Sequence, residues 1–550
     1  MEAKNVDIKN DIHEPYGTSD DEIESQIQVL RAAGIGLGEN DPTEPVLTLR
    51  MWSLAIIFCI VVSGLNTLYT LRTPSVTISA SVVLLLAYPL GKVWEKLLPD
   101  WNVPLGAWSF SLNPGPFNTK AKMFYGYKAG WGFQIMITLA TFLFGFCLAG
   151  LFRAIVVVPR NLIWPGVLSV TALATTLHDV GQGEVQASFN TWRMSRYAFF
   201  TIAGTVSFCW YWFPDFIFPA LSTLNFPCWI APKDKVINQL FGMTSGMGLL
   251  PITFDWSQVS YVGSPLLIPS WAILTHPVLA IVYATSNLKI NIDIFCRIVA
   301  GFVFPGKVLA NIWFFDIGYI STIKGLYFAQ DMKLAYYCHI KIPQRQLFLV
   351  QCVGMVMGTL SSLGALNWAL NHIAGVCTSA ASNGFSCPYS TTHFNTSLIW
   401  GAIGPRRYFS NQIGYSALLY FFIIGAILPV PVYFLSHRYP NSLWKKVHIP
   451  LFLGGLNYLP PATGMNYGSW AVVGLTFGWL IRKRPFSWWA KYNFVLSSAL
   501  DSSVGVAGVL IFLTVFCTGA SKHFNWWGTE VSKVCLIQSE QWEGGANGKY

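Results

Sequence analysis

The sequence predicts an all-α fold, a polytopic transmembrane helical bundle, on three observations. Apolar runs recur along the chain, several of them near the roughly 20 residues that a crossing helix needs. Charged residues make up 11% of the 550 residues, against about 25% in soluble domains. Aromatic residues make up 15%, with 23 Trp and 23 Tyr, which suits membrane–water interfaces. The net charge is +10, and the basic residues lie largely in short loops between apolar runs. Basic residues in such loops set the orientation of the helices in the membrane, so we expect no nucleic-acid partner.

About a dozen apolar runs are candidate spans, and several are short or interrupted, so we expect broken or re-entrant segments among them. Prolines at 269, 277 and 305 interrupt two of these runs. In chain order the runs are 51–71, 76–90, 130–151, 162–177, 197–221, 236–254, 266–284, 292–315, 347–370, 415–435, 449–459, 470–481 and 493–517.

Three regions follow from composition. Residues 1–45 are polar and acidic, which predicts a disordered cytosolic tail without a cleavable signal peptide. Residues 46–530 form the membrane domain, and residues 531–550 form a C-terminal tail.

The distribution of basic residues predicts the orientation, because cytosolic loops carry excess Lys and Arg. With the N-terminus in the cytosol, Lys341 and Arg345 are cytosolic provided that 236–254 crosses fully. The loop holding Lys92, Lys96, Lys120, Lys122 and Lys128 is also cytosolic, while Arg153, Arg160, Arg406 and Arg407 go against the rule. The polar loop between Cys377 and Cys387 falls outside, where a disulfide can form.

A proline-rich stretch between two apolar runs is a candidate substrate-holding segment. It consists of Asn113, Pro114, Gly115, Pro116, Phe117 and Asn118. Two prolines prevent a continuous helix, and irregular backbone at membrane depth persists where it is buried in protein or lines a wet cavity. The alternative is an ordinary interfacial loop.

Residues 111–118, Ser-Leu-Asn-Pro-Gly-Pro-Phe-Asn, resemble the first signature of the oligopeptide transporter family. Residues 341–345, Lys-Ile-Pro-Gln-Arg, preceded by Asp-Met-Lys-Leu at 331–334, resemble its second. Further resembling stretches, in the family's order, lie at 48–52, 163–166, 177–178, 251–256, 400–405, 460–463 and 466–467. The resemblance is closest to the fungal and plant small-peptide branch. It implies a carrier of small peptides, glutathione-like thiols or metal chelates, with protons moving inward.

The chain departs from this family pattern at two places. Ala121 and Lys122 stand where the first signature normally continues with an acid and an imidazole, which weakens the case for proton coupling. The middle of the pattern is missing, with an apparent internal deletion near 271–276. A faulty gene model would explain this deletion equally well.

Several charged residues are candidates for substrate or proton binding. Lys120 is a candidate substrate-binding residue. Lys341 and Arg345 could attract a peptide carboxylate, or they could be topology anchors. Asp255 could bind a proton or the substrate amine, or it could cap a broken helix. His178 and Asp501 are further proton-coupling candidates, with a helix-terminal role as the alternative for His178. Glycines 242, 246 and 248 serve either close helix packing or close approach to substrate.

The prediction is a secondary active transporter that moves tetra- or pentapeptides or glutathione-like compounds by alternating access and is coupled to protons. One alternative is a metal-chelate or thiol-conjugate carrier, and another is a transport-inactive shortened relative. Phosphate-loop, zinc-protease and serine-hydrolase signatures are missing from the sequence, so we expect no enzyme, catalytic residue, metal or cofactor. The expected partners are a small peptide, protons and the lipid bilayer of the plasma membrane, with the oligomeric state left open.

Overall fold

A computed structural model of the chain describes residues 29–33, 35, 49–71, 78–97, 131–159, 162–178, 192–231, 234–243, 246–261, 263–267, 284, 292–338, 344–373, 375–377, 385–410, 415–439, 463–484 and 486–531. Over these residues the fold is all-α, as predicted, and one isolated antiparallel bridge joins Leu224 to Ile252. The proline-rich stretch at 113–118, Lys120, Lys341 and the junction at 271–276 lie outside the described residues.

The helices are numbered here in chain order. They are α1 (Leu49–Thr70), α2 (Ala80–Leu97), α3 (Trp131–Leu151), α4 (Arg153–Val156), α5 (Pro165–His178), α6 (Arg196–Trp212), α7 (Phe226–Ile230), α8 (Lys235–Phe241), α9 (Trp256–Val259), α10 (Asp293–Val303), α11 (Val308–Phe315), α12 (Ser321–Tyr337), α13 (Gln344–His372), α14 (Pro388–Ser397), α15 (Pro405–Tyr408), α16 (Leu418–Ile427), α17 (Pro429–Arg438), α18 (Gly464–Leu475) and α19 (Phe486–Ile511).

Several helices continue into a short π-helical segment, which widens the turn locally. These segments are Phe213–Ile217 after α6, Asp316–Ile320 after α11, Leu398–Ile403 after α14, Thr476–Ile481 after α18 and Phe512–Phe516 after α19.

Five helical runs in the described part of the chain have the length and apolar composition of a membrane span. They are Trp52–Thr70, Trp131–Leu151, Arg345–His372, Leu418–Arg438 and Phe486–Phe516. Each coincides with a predicted run, and these helices identify an integral membrane protein. Ala80–Val93 and Pro165–Leu177 are shorter apolar helices. The run at 292–315 is broken between α10 and α11, at the predicted Pro305.

One predicted span is wrong as a crossing helix. In the region 236–254, α8 ends at Phe241 after seven residues, which is about 10 Å of helix. The chain then returns, because Ile252 pairs with Leu224 and the Phe254 N–H donates to the Leu221 carbonyl at 3.0 Å. Glycines and Pro251 interrupt the apolar pattern, so this region is broken and re-entrant instead.

The predicted boundary of the N-terminal tail also needs correction. Residues 29–32 are helical, and Val29, Ala32 and Ala33 are at most 1% exposed within the main apolar core. The Arg196 guanidinium donates to the Ala32 carbonyl at 2.7 Å. These small apolar residues lie within the region 1–45, whose average composition is polar and acidic.

Helices far apart in sequence pack side by side in the same direction. In α1 and α13, Cys59 donates to the Gly354 carbonyl at 3.2 Å and Ser361 donates to the Ile60 carbonyl at 2.5 Å. Farther along both helices, Leu71 and Leu366 share a core cluster. Parallel packing places Arg345, in the first turn of α13, at the same end of the bundle as the start of α1.

The other parallel pairs are α3 with α11–α12, and α6 with α19. Phe133 contacts Trp313 and Phe146 contacts Phe328, with ring centroids 6.0 and 4.9 Å apart. The Arg196 Nε donates to the Lys491 carbonyl at 3.0 Å, and Ser503 donates to Ser207 at 2.7 Å. The Tyr69 and Phe512 rings, 5.0 Å apart, bring the far ends of α1 and α19 together.

These pairings give the bundle two distinct ends. One end, called the basic end here, holds Arg153, Arg196, Arg345, Arg482 and Lys491. The other end, called the disulfide end, holds Cys377 and Cys387, whose Cα atoms are 4.7 Å apart in a disulfide. The Cys387 N–H donates to the Leu71 carbonyl at 2.9 Å, which fixes this link to the end of α1.

The two ends revise the charge map. Arg153 was expected to go against the positive-inside rule, but it lies with Arg196 and Arg345 at the basic end. Arg345 lies on the N-terminal side of α1 as predicted, although the crossing at 236–254 that this argument required does not form. α3 begins at the disulfide end, and Lys120, Lys122 and Lys128, which precede it, lie outside the described residues.

Candidate functional site

The broken segment at 242–267 lies against two helices and forms the candidate site. Asp234 caps α8 by accepting from Val236 N at 2.8 Å, and Gly242 follows the last residue of the helix. Gly248 follows with φ of +59°, a backbone conformation that favours glycine. A Cβ on Gly464, at the start of α18, would lie 2.6 Å from the Gly248 carbonyl. Of the two readings of these glycines, the geometry at Gly248 favours close packing.

Asp255 starts the short helix α9 and has both carboxylate oxygens occupied. Its Oδ1 accepts from the Ser257 N–H at 2.8 Å and from the Ser257 hydroxyl at 2.7 Å. Its Oδ2 accepts from the Ser222 hydroxyl at 3.1 Å, and the residue is 4% exposed. A buried carboxylate needs such donors, and the pattern is that of a helix N-cap. This geometry favours the capping alternative for Asp255.

Helix α19 presents a row of polar side chains to this segment. Asn493, Ser497 and Asp501 are spaced four residues apart, so they lie on one face. Asn493 donates to the Leu266 carbonyl at 2.8 Å, and the Ser497 and Ser264 hydroxyls are 2.8 Å apart. Asp501 accepts from the Trp256 indole N–H at 2.7 Å. The segment therefore runs antiparallel to α19, fixed at three levels.

Helix α18 holds the opposite side of the same segment. Asn466 donates to the Gln258 carbonyl at 2.9 Å and to its side-chain oxygen at 3.1 Å. Trp470 donates to the Gly263 carbonyl at 3.0 Å. Since irregular backbone in a membrane protein needs partners for its polar groups, the side chains of α18 supply what a helix would have supplied internally.

The contact between Trp256 and Asp501 lies at the middle of the bundle. Asp501 is the central residue of the 31-residue run Phe486–Phe516. At a rise of 1.5 Å per residue, it lies about 22 Å from either end of that run. The broken segment thus enters from the disulfide half and reaches mid-depth at Trp256. Broken segments at this depth are where transporters hold substrates and coupling ions.

The predicted site residues do not form one cluster in the described part of the chain. Asp255 and Asp501 are brought together through Trp256. Arg345 is exposed in the first turn of α13, at the basic end and away from this centre. His178 is the last residue of α5.

Sequence reasoning missed a set of buried cations. Arg297, Lys324, Lys333 and Lys491 are each at most 2% exposed. They lie inside helices or at helix starts, and an ionisable residue within an apolar run is the signal that would have identified Arg297. Lys333 donates to the Val157 and Pro159 carbonyls, both at 2.9 Å, so it serves backbone packing beside α4.

A buried tyrosine just before the second signature has a structural role. Tyr337 donates its hydroxyl to the Ile163 carbonyl at 2.9 Å. Trp164, the next residue, has φ of +55° and donates its indole N–H to the Val156 carbonyl at 3.1 Å. The stretches at 163–166 and 331–337 therefore contact each other and anchor the start of α5.

A protein-family model described as "OPT oligopeptide transporter protein" matches residues 46–124, 119–276 and 272–515. The relative named "Glutathione transporter 1" of Schizosaccharomyces pombe is 32% identical over 90% of this chain and 80% of its own length. "Sexual differentiation process protein isp4" of the same yeast is 28% identical over 89% and 86%. "Oligopeptide transporter 2" of Arabidopsis thaliana is 26% identical over 94% and 96%. No solved structure matches.

The family match is split at two places. One split, at 272–276, coincides with the predicted internal deletion near 271–276. The other, at 119–124, falls on Ala121 and Lys122, the two residues that depart from the first signature. The alignment to the first yeast relative covers 686 positions, more than this entire chain of 550 residues, so that relative carries internal segments that this chain lacks. With the family model matching across 46–515, the chain belongs to the oligopeptide transporter family.

Proposed function

We propose that the chain is a proton-coupled carrier that moves short peptides or glutathione-like compounds across the plasma membrane by alternating access. The observation that supports this proposal is the mid-depth contact between the broken segment and Asp501 of α19. The names of the yeast and plant relatives support the choice of cargo. The N-terminus is placed in the cytosol, since the basic end holds the start of α1.

Asp501 is the residue to which we assign the substrate amine or the transported proton. Its Oδ1 accepts from Trp256, and within the described residues its other oxygen accepts no hydrogen bond. Asp255, by contrast, has both oxygens filled by Ser257 and Ser222. A carboxylate with a spare oxygen at mid-depth can bind an ammonium group or a proton, and Trp256 holds it in place.

Alternating access would use the two faces of the broken segment. The α19 face holds the segment through Asn493, Ser497 and Asp501, and the α18 face holds it through Asn466 and Trp470. Release of one face while the other stays bound would open the path toward one end of the bundle. The proline-rich stretch at 113–118, with Lys120, and the basic residues Lys341 and Arg345 remain proposed substrate contacts.

Uptake of labelled tetrapeptide and labelled glutathione into cells lacking their own carriers tests this function. Asp501→Asn should abolish uptake driven by an imposed proton gradient, because the amide cannot take a proton and has no charge for an amine. Asp234→Asn is the matched control, since Asp234 is an exposed cap and asparagine also caps helices. Uptake at the same rate with and without the imposed proton gradient would contradict proton coupling. Competition by a metal chelate that exceeds competition by peptide favours the metal-chelate or thiol-conjugate alternative.

A transport-inactive relative is the second candidate, and the two splits in the family match favour it. A missing segment near 271–276 would take spans away from a carrier of this family. Sequencing the transcript across both junctions tests this candidate. A transcript that encodes extra residues at either junction identifies the short chain as a gene-model artefact, and the carrier assays then belong to the longer chain.

A further inference from the structure

A buried cation joins the broken pair α10–α11 to α14. Arg297 of α10 is 1% exposed, and its Nε donates to Asp293 Oδ1 at 2.6 Å. Its other nitrogens contact the Ser397 hydroxyl and, at 3.0 Å, the Nδ1 atom of His393. The guanidinium lies 3.9 Å from the centroid of the Phe315 ring. Three helices therefore meet at one side chain.

The protonation state of His393 at this contact follows from its partner. A guanidinium has N–H donors and no acceptor, and it stays charged in proteins. The Nδ1 atom that faces Arg297 must therefore be the acceptor, with the ring proton of the neutral imidazole on Nε2. A second proton, added at Nδ1, would place an N–H against an N–H and a cation against a cation.

The charged side chains on the segments that carry this contact are Arg297 and Asp293 of α10 and Asp316 of the π segment after α11. From α10 the charged groups are Arg297 and Asp293, and the Asp293 Oδ1 already accepts from Arg297. From α11 the contacting group is Phe315, whose ring centroid is 5.3 Å from that of His393, and α11 contains no titratable side chain. Asp316, the next residue along the chain, begins the π segment that follows. Protonation of Nδ1 thus replaces a hydrogen bond with a repulsion.

The contact is coupled to the break between α10 and α11. The Gly306 N–H donates to the Gly401 carbonyl at 3.0 Å, and a Cβ on Gly301 would lie 2.3 Å from the Trp400 carbonyl. The break therefore docks tightly on the π segment that continues α14, with no room for a side chain at Gly301. Loss of the contact between Arg297 and His393 would weaken the packing of α14 and its π segment against the broken pair α10–α11.

The position of His393 suits proton entry from outside. It lies six residues after Cys387, and so within two helical turns of the disulfide end. Its side chain is partly exposed, whereas Arg297 is fully buried. The disulfide end is opposite the basic end, which the proposed orientation assigns to the cytosol.

We propose that His393 is a proton-binding residue whose protonation releases Arg297 and undocks α14 from the broken pair α10–α11. This inference rests on the proposed proton-coupled transport and names a residue that carries the coupling. The step is a reversible proton transfer from solvent to Nδ1 of His393, and no covalent bond between heavy atoms changes.

The test uses His393→Asn in the full chain, because an asparagine oxygen can accept from Arg297 but does not titrate. Imidazole is the side chain whose charge changes between pH 8 and pH 5, so the assay compares uptake at pH 7.5 with uptake at pH 5.5. Peptide uptake by the parent should change by at least about threefold over that range, and uptake by the variant by less than about twofold. His372→Asn is the matched control, since His372 is exposed at the end of α13 and should keep the parent profile.

A measurement without substrate separates this inference from the proposed function. The melting temperature of purified protein should fall on acidification by more in the parent than in His393→Asn, by roughly 1–2 °C, because the parent alone loses the contact. If the two melting temperatures differ in this way but the protein transports no peptide, the proposed transport function is contradicted and the protonation of His393 is still supported.

Equal acid-dependent melting of parent and His393→Asn, or a pH-dependent uptake change that the variant at the cell surface retains in full, overturns the inference. His393→Gln is the second variant if His393→Asn is not recovered. Should neither variant fold, a parent melting temperature that does not fall between pH 7.5 and 5.5 overturns it.

Discussion

Trp256 donates its indole N–H to Oδ1 of Asp501 at 2.7 Å and so ties a broken segment to the centre of the longest apolar run described. Asp255, one residue earlier, is the N-cap of the helix that Trp256 begins. Two acids that look equivalent in the sequence therefore have different tasks. Asp255 accepts from the backbone at a helix start, and Asp501 accepts from a side chain of the broken segment.

Trp256→Phe should destabilise the protein by roughly 1.5–3 kcal/mol, since the lost hydrogen bond has a carboxylate as acceptor. Trp470→Phe is the matched control. Its indole donates to the neutral Gly263 carbonyl at 3.0 Å, and the expected loss is about 0.5–1.5 kcal/mol. The measurement is unfolding of each purified variant by denaturant. Equal losses in the two variants would contradict a charged acceptor at Asp501.

Asp255→Asn and Asp255→Ala separate the two roles considered for Asp255. If it caps α9, asparagine keeps most of the stability and the pH profile of uptake, whereas alanine costs about 1 kcal/mol. If it carries protons, both variants lose the response to pH. We expect the capping result, because Ser257 and Ser222 occupy both oxygens of Asp255. Melting temperature and uptake at two pH values measure the two outcomes in the same samples.

The sequence was sufficient for the fold class and for the long helices, because apolar length is a strong signal. It was insufficient for the re-entrant segment at 236–254. Glycines and Pro251 interrupt the apolar pattern of that run, but the pairing of Leu224 with Ile252, which turns the chain back, is a tertiary contact that no local pattern identifies. The same limit applies to Val29 and Ala33, which are buried because they pack into the main apolar core, a tertiary contact.

The candidate site was predicted in part and for a physical reason. Intramembrane acids are rare, so Asp255 and Asp501 were identified from the sequence. The Trp256 contact that links them requires a register between α9 and α19, which the sequence of neither helix fixes. Arg297 was missed although the same rule applies to it, since it lies within the predicted run 292–315, and its (i, i+4) partner is Asp293 at the start of that run.

Gly145→Ala should destabilise the packing of α3 on α12. A Cβ at Gly145 would lie 2.2 Å from the Ser321 carbonyl, and backbone atoms cannot yield as a side chain can. Overpacking of this kind costs about 1–3 kcal/mol. Gly150→Ala, later in the same helix, meets nothing within 4 Å and should be neutral or slightly stabilising. Melting temperatures of the two variants are the measurement, and a Gly145→Ala variant as stable as Gly150→Ala would show that these helices do not touch there.

Removal of the disulfide by the double change Cys377→Ser and Cys387→Ser should lower stability by roughly 2–3 kcal/mol. The bond closes a loop with a sequence separation of 10 residues, and the loss follows from the freedom that the unfolded chain regains. Because the Cys387 N–H also holds the end of α1 through Leu71, we expect the loss to appear at that end first, as faster hydrogen exchange in the last turns of α1 and α13.

Cys147→Ser is the matched control for the disulfide, since Cys147 is an exposed free cysteine on α3. A reducing agent should lower the melting temperature of the parent and of Cys147→Ser but leave the double variant unchanged. Alkylation of both Cys377 and Cys387 in protein that was never reduced would contradict the bond.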